Sequence, residues 1–242
     1  MRPEEHRPLI KLIIVGRRAP DKTRQAAHLH MRVVHGPMVY APPPGAGPMP
    51  GYYAQNPAFD DEGALPQAWR AERDFVTEVG FDDFPHLRAA TSTPYYLTRL
   101  RPDEPNFVDP PSVRAVPTQA ESASGAEGAE AARLFVFLKQ RGDAAEFARA
   151  LALARGQWAD HTAITAQASD VALTAPDGLP APFDRVERLS FVNRAAALDF
   201  ARRRFAAFAA RLAPHVEPGE SFALLADHYS VSRLRDEAGV RP

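Results

Sequence analysis

The chain has 242 residues, of which 45% are hydrophobic and 24% are charged, and its formal net charge is −1. This is the composition of a globular protein, and the near-zero charge gives no electrostatic basis for binding nucleic acid or an anionic membrane. The absence of cysteine excludes disulfides, thiolate catalysis and cysteine-ligated metal centres.

The first half of the chain predicts the order β-α-β-β-α-β. Runs rich in β-branched and aromatic residues predict strands at Leu9–Val15, Tyr52–Asn56, Phe75–Phe81 and Ser112–Val116. Helices are predicted from Pro20 to about Val34, ending at His35-Gly-Pro37, and again from Asp82-Asp83. Between the first helix and the second strand, the loop Ala41–Gly51 consists almost entirely of Pro, Gly, Ala and Met. We interpret this loop as a lid that excludes water from a pocket.

The second half repeats this order after a linker. Pro117–Glu130 has no large apolar residue and predicts a solvated segment, which we assign as a flexible linker at residues 119–131. The strands predicted beyond it are Leu134–Leu138, Ile164–Ala168, Val186–Val192 and Phe222–Tyr229. The helices predicted between them are Asp143–Trp158 and a segment from Asn193, a good N-cap, to about Leu212.

Short sequence matches accompany the repeated order. Glu78-Val-Gly-Phe81 matches Arg188-Leu-Ser-Phe191, and Tyr53-Ala-Gln55 matches Thr165-Ala-Gln167. A four-stranded antiparallel sheet with helices on one face leaves the other face bare, and two such faces can cover each other. We therefore predict an α+β fold in which two ferredoxin-like β-α-β-β-α-β units, residues 1–118 and 132–242, form a pseudo-dimeric α/β barrel.

The first half resembles the EthD family, over about residues 9–118. The resemblance rests on Ile10–Arg18, Val34-His-Gly-Pro37, Tyr53-Ala-Gln-Asn56, Glu78–Asp83 and Phe107-Val-Asp109. It implies the fold of the dimeric α/β barrel superfamily. Members and relatives include cofactor-free cyclases, dehydratases, isomerases and oxygenases, and more distant branches bind haem. The second half resembles the family only in layout. Met31 stands where the family often has an aromatic residue, so we expect the pocket to differ in detail.

His35 is the first candidate catalytic residue. An imidazole with a pKa near neutrality can take and return a proton at cellular pH, and the resemblance places this histidine in the family motif. The alternative is a structural one, because a histidine at the C-terminus of a helix interacts favourably with the helix dipole.

Glu78 and Asp109 are candidates for orienting His35 or handling a second proton. Strand alternation places Val76 and Glu78 on one face of the third strand and Phe75, Thr77, Val79 and Phe81 on the other. An equally good interpretation of Glu78 is an ion pair with Arg188, its repeat partner, across the pseudo-twofold axis. Asp109 is otherwise a turn residue.

Several further side chains are candidates for binding the substrate. They are Tyr53, Gln55, Trp69, Phe107, Arg188 and His228. The alternative for each of them is ordinary packing. Histidines and carboxylates do not occur at metal-ligand spacing, and neither a phosphate-binding glycine-rich loop nor a Gly-x-Ser-x-Gly elbow is present.

From these features we predict a cytoplasmic, cofactor-free acid–base enzyme with no metal site. It would be a dehydratase, cyclase, lyase or isomerase acting on an apolar aromatic or polyketide-like small molecule, and its site would lie in the first half. The partners we expect are that substrate and, in a homodimer, a second chain, but not nucleic acid or a membrane. The alternatives are a cofactor-free or haem-binding oxygenase, with His35 or His228 as axial ligand, and a non-catalytic ligand-binding protein of a degradation pathway.

Overall fold

In the part of the chain that the structure describes, nine antiparallel strands form a sheet that nearly closes into a barrel, with helices packed outside it. The structure is a computed structural model and describes residues 10–125, 131–158, 161–174 and 178–230. The strands are β1 (Ile10–Gly16), β2 (Tyr52–Pro57), β3 (Phe75–Phe81), β4 (Arg114–Gly125), β5 (Ala132–Leu138), β6 (Ile164–Ala172), β7 (Arg185–Phe191), β8 (Phe222–Asp227) and β9 (Tyr229–Ser230). Their order is β8-β5-β7-β6-β4-β1-β3-β2-β9. Because only His228 separates β8 from β9, the two ends of the sheet meet.

The helices of the described residues pack on the outside of the sheet, and three of them begin after a capping residue that the sequence predicts. They are α1 (Arg24–His30), α2 (Gly36–Tyr40), α3 (Phe84–Thr91), α4 (Arg101–Asp103), α5 (Ala144–Arg155), α6 (Arg194–Phe200) and α7 (Ala206–Leu212). Asp83 and Asn193 each accept a hydrogen bond from a backbone N–H of the first turn that follows. The helices in the described part of the chain are all too short or too polar to cross a membrane.

The first helix does not end at His35, so a C-terminal cap is the wrong interpretation of this residue. A π-helical segment, Met31–His35, joins α1 to α2 without a break. The Gly36 N–H bonds to the Met31 carbonyl oxygen, five residues earlier. Pro37 has no N–H to donate, and the wider turn before it lets the helix continue to Tyr40. Single π turns of this kind occur frequently at functional sites.

Strand β4 corrects the linker prediction. Residues 119–125 continue this strand and pair with β6, from Gln119↔Val171 to Gly125↔Ala166; residues 126–130 lie outside the described residues. The side chains of this segment are mostly exposed. Main-chain hydrogen bonds to β6 hold this segment in the sheet. Its lack of apolar residues therefore did not indicate a linker.

The sheet has two differently filled faces. Inside the barrel, Ile13, Val15 and Val76 pack with Phe135 and Phe137 of the second half. On the outer face of the sheet in the second half, a large cluster of buried side chains, including Trp158, Phe200 and Phe208, fills the space under the helices. In the first half, the corresponding space holds two smaller clusters of buried side chains, and an apolar cavity remains between the helices and the sheet.

Candidate active site

An apolar cavity of about 310 Å³ lies between the helices and the sheet of the first half; we call it the helix–sheet cavity. Its volume is at the lower end of the range for small-molecule sites. Its polar lining residues are His35, Tyr53, Thr77, Thr91, Tyr96 and Glu104. The apolar lining residues are Leu12, Ile14, Met31, Val39, Met49, Pro50, Phe75, Val79, Phe81, Ala90, Leu100, Phe107, Val108, Val113 and Ala115. The β3 residues among them form the face that strand alternation predicts.

The loop proposed as a lid forms part of the cavity wall. Met49 and Pro50 line the cavity, and the Met49 carbonyl oxygen lies 3.1 Å from His86 Nε2 of α3. Gly47 has a φ of 97°, and a Cβ atom placed on it would lie 2.7 Å from Thr93 Cγ2. The loop therefore lies close against the segment that follows α3.

We expect Gly47→Ala to destabilise the protein by ~1–3 kcal/mol, because an L side chain at this φ is strained and its Cβ collides with Thr93. Urea unfolding monitored by circular dichroism measures the change. Gly51→Ala is the matched control, since no atom lies within 4 Å of its added Cβ. Equal stabilities of the two variants would contradict the close packing of this loop.

His35 and Asp103 form a hydrogen-bonded pair at the cavity. His35 Nδ1 lies 3.1 Å from Asp103 Oδ2, and the His35 ring packs on Phe107 with a centroid distance of 4.9 Å. Asp103 also contacts His30 Nε2 at 2.9 Å and accepts a hydrogen bond from Asn106 Nδ2 at 3.0 Å. His35 Nε2 has no partner among the described residues. A neutral imidazole that donates from Nδ1 carries its lone pair on Nε2, so this atom can accept a proton.

The protonation states of this pair suit a base and its orienting group. Burial lowers the pKa of His35, although the hydrogen bond and the negative charge of Asp103 oppose the shift. Burial alone would raise the pKa of Asp103, but hydrogen bonds from Asn106, His30 and His35 hold it below its ordinary value. At neutral pH the imidazole is therefore neutral and the carboxylate is charged.

Two of the predicted binding residues line the cavity and a third supports one of them. Tyr53 and Phe107 are in the wall, and burial raises the pKa of the Tyr53 phenol. Gln55 is buried beside the wall and donates hydrogen bonds to Tyr53 Oη at 2.9 Å and to the Met31 carbonyl oxygen at 2.6 Å. Gln55 thus positions Tyr53 and the π-helical segment.

Glu78 lies inside the barrel, away from His35 and the cavity lining. Its Oε1 accepts a hydrogen bond from Arg188 at 2.6 Å, which is the ion pair that the repeat predicts. Arg133 bonds to its other oxygen, and Lys11 Nζ lies 3.5 Å from Oε1. Arg188 also donates to Asp170 at 3.0 Å. We call these five residues the barrel charge cluster.

His228 extends the barrel charge cluster and does not fit a haem ligand. Its Nδ1 lies 2.9 Å from Asn56 Oδ1 and its Nε2 lies 3.2 Å from an Arg133 nitrogen, so both ring nitrogens are engaged. The residue is 4% exposed. Within the described ranges, there is no group of three or more His, Asp or Glu residues that could hold a metal ion.

Asp109 and Trp69 lie away from the cavity. Asp109 pairs with Arg17 at 2.8 Å, and its carbonyl oxygen accepts a hydrogen bond from Ser112, as expected for a turn residue. Trp69 reaches the second half, where its ring meets Phe205 at a centroid distance of 5.5 Å. It belongs to the core of the second half.

Sequence reasoning missed Asp103 and Glu104, because no helix was predicted between α3 and β4. A π-helical segment, Tyr96–Leu100, runs directly into α4. Thr93-Pro94 is a start signal of the usual form, an N-cap followed by proline. Thr93 Oγ1 indeed accepts a hydrogen bond from the Tyr96 N–H at 3.0 Å. With this helix recognised, Asp103 and Glu104 would have become candidates.

Comparison with known proteins confirms the resemblance of the first half. Residues 19–111 match the EthD domain. A solved structure of an anthrone oxidase-like protein superposes with a TM-score of 0.62 at 14% identity and covers 94% of each chain. A proposed monooxygenase from Fusobacterium nucleatum subsp. nucleatum gives 0.54 at 7% identity, covering 93% of this chain and 94% of that one. Another, from Lactobacillus acidophilus, gives 0.50 at 12% identity, covering 91% and 94%. Among curated protein sequences, none matches. At identities this low, the similarity to the solved structures shows a shared fold and nothing about activity.

Proposed function

We propose that this protein is an enzyme that removes a proton from an apolar aromatic small molecule bound in the helix–sheet cavity. The observation that carries the proposal is the His35–Asp103 pair at a cavity whose other walls are mostly apolar. His35 Nε2 takes a proton from a carbon next to a carbonyl group, and the electron pair of that C–H bond passes into an enolate. Asp103 stabilises the imidazolium that forms. These steps use only side chains of the chain itself.

The two halves of the chain support a related proposal, that each is a ferredoxin-like unit and that together they form a pseudo-dimer. The first half has the strand order β4-β1-β3-β2, and the second half has the equivalent order β8-β5-β7-β6. The C-terminal part of β4 crosses to pair with β6, while β9 crosses to pair with β2. In this arrangement the second half supports the barrel and the first half holds the site.

The proposed activity is tested with 1-tetralone, a bicyclic aromatic ketone with exchangeable hydrogens beside its carbonyl group. We expect the enzyme in D₂O to speed deuterium incorporation at C2, as followed by mass spectrometry. The heat-denatured protein provides the background rate. Incorporation at that background rate in the presence of folded enzyme would contradict the proposal.

Asp103→Asn should move the pH dependence of exchange in a defined direction. The reaction needs neutral His35, so its rate rises as the pH rises through the His35 pKa, which burial places below the ordinary value of ~6.5. Asp103 acts to raise that pKa. Its loss therefore moves the acid limb of the profile to lower pH, while misorientation of the ring lowers the plateau, by ~10-fold or more. An unchanged profile would show that Asp103 does not act on His35.

Oxidation of the same enolate by O₂ is the second candidate. It is suggested by the description of one fold neighbour as anthrone oxidase-like, and the apolar cavity wall suits both candidates. With anthrone as probe, one O₂ would be consumed for each anthraquinone and water formed, after the same proton removal by His35. Oxygen uptake with anthrone distinguishes the two candidates. Haem titration tests the haem-binding alternative: a Soret shift that His35→Gln abolishes would show His35 acting as a haem ligand in place of a base.

A further inference from the structure

The geometry points to Glu104 as a second proton-transfer residue, one that protonates a hydroxyl group as it leaves the substrate as water. This inference rests on the proposed function, because it assumes that His35 removes the first proton. It narrows the substrate class to apolar aromatic β-hydroxyketones and the reaction class to dehydration.

Glu104 is the only carboxylic acid that lines the helix–sheet cavity among the described residues. Its Oε1 accepts a hydrogen bond from Tyr96 Oη at 3.2 Å, and Tyr96 itself lines the cavity. Oε2 has no partner among the described residues. The phenol thus fixes one carboxyl oxygen and leaves the other for a ligand.

Two adjacent carboxyl groups at the end of α4 have contrasting surroundings. Asp103 contacts two histidines and an asparagine amide, which favour its charged form. No lysine, arginine or histidine nitrogen lies within ion-pair distance of Glu104 in the described part of the chain. Burial raises the pKa of Glu104, against opposing effects of Tyr96 and Arg101, and the pKa of Tyr96 is raised to about 12. Neighbouring acids whose surroundings push their pKa values apart are typical of an acid–base division of labour.

Dehydration follows from placing a proton acceptor and a proton donor in one apolar cavity. His35 Nε2 takes a proton from the carbon beside the carbonyl group, and that electron pair forms a C=C bond. The bond from the β-carbon to its hydroxyl oxygen breaks, and its electron pair stays with the oxygen. That oxygen takes the proton of Glu104 and leaves as water. The proton on His35 returns to Glu104 through solvent, so the reaction needs neither oxidant nor reductant.

The test uses 3-hydroxy-1-tetralone, which loses one water to give 1-naphthol, and compares elimination with deuterium exchange of 1-tetralone. In Glu104→Gln we expect elimination to fall at least ~10²-fold more than exchange does. Asp109→Asn is the matched control, because Asp109 lies outside the cavity wall, and it should retain both activities. Equal losses of elimination and exchange in a folded Glu104→Gln protein would overturn the inference.

An infrared measurement tests Glu104 without turnover. In a pH series, the C=O band of a protonated carboxyl group in the wild-type minus Glu104→Gln difference spectrum should persist to a higher pH than the ordinary glutamate pKa of ~4.3 allows. A carboxylate band in its place would overturn the assignment, even if the protein exchanges 1-tetralone. Failure of the proposed function would be recognised separately, by the absence of exchange in the wild-type protein.

Discussion

Replacing His35 with Gln should lower the rate of 1-tetralone deuterium exchange at least ~10²-fold, because a positioned general base contributes about that much or more. Glutamine can still hydrogen-bond to Asp103, but its amide does not accept a proton at neutral pH. Asp103 and the Phe107 contact hold the His35 ring at the cavity. The loss should therefore appear in kcat, with the fold intact by circular dichroism.

His30→Gln is the matched control for this substitution. His30 contacts the same carboxylate, at 2.9 Å, and stacks on the same Phe107 ring at a centroid distance of 5.4 Å. It does not line the helix–sheet cavity. We expect this variant to keep most of the exchange activity. Comparable losses in the two variants would mean that the effect comes from disturbing Asp103, and turnover by folded His35→Gln at the wild-type rate would refute the assignment of His35 as the base.

Glu78→Gln should destabilise the fold by ~3–5 kcal/mol, the usual effect of removing one partner from a buried ion pair. Glu78 is fully buried between Arg133 and Arg188, with Lys11 beside it. Without its charge, three cations of the barrel charge cluster face the single carboxylate of Asp170. Because Glu78 comes from the first half and both arginines from the second, the substitution weakens the contact between the halves.

Urea unfolding of wild type and variant measures this effect. Asp199→Ala is the control, since it removes an exposed i,i+4 pair with Arg203 and should change the stability by at most ~1 kcal/mol. A Glu78→Gln protein as stable as that control would show that the barrel charge cluster does not hold the halves together.

The contribution of the ionised Glu78 carboxylate to the free energy of unfolding should depend on pH. Burial alone would raise the pKa of Glu78, but the charges of Arg188, Arg133 and Lys11 hold it well below its ordinary range. A carboxylate whose pKa is depressed in the folded state stabilises the fold at pH values above its pKa in the unfolded chain, ~4.3 for glutamate. This stabilisation is lost as the pH falls through the pKa of the folded state. The stability difference between wild type and Glu78→Gln should therefore shrink below about pH 4.

Most of the strands and the starts of three helices followed from local sequence. Alternation along β3 separates Glu78 from the cavity-facing Phe75, Thr77, Val79 and Phe81, and Asp83 and Asn193 begin their helices. These features depend on neighbours within one turn or one pleat. The EthD resemblance pointed to His35, but Pro37 suggested a helix end that the π-helical segment removes.

Only the tertiary structure decided what each candidate touches. Asp103 lies 68 residues from His35, and Glu78 lies 110 residues from Arg188. Such pairs depend on how helices pack and how the sheet closes, which no local pattern encodes, although the repeat supplied the Glu78–Arg188 pair. The sequence by itself determined the strand alternation, three of the helix starts and, through the EthD resemblance, the candidate histidine. The tertiary structure decided that Glu78 forms ion pairs inside the barrel and that Asp103 hydrogen-bonds to His35. Main-chain pairing and packing bring these distant residues together.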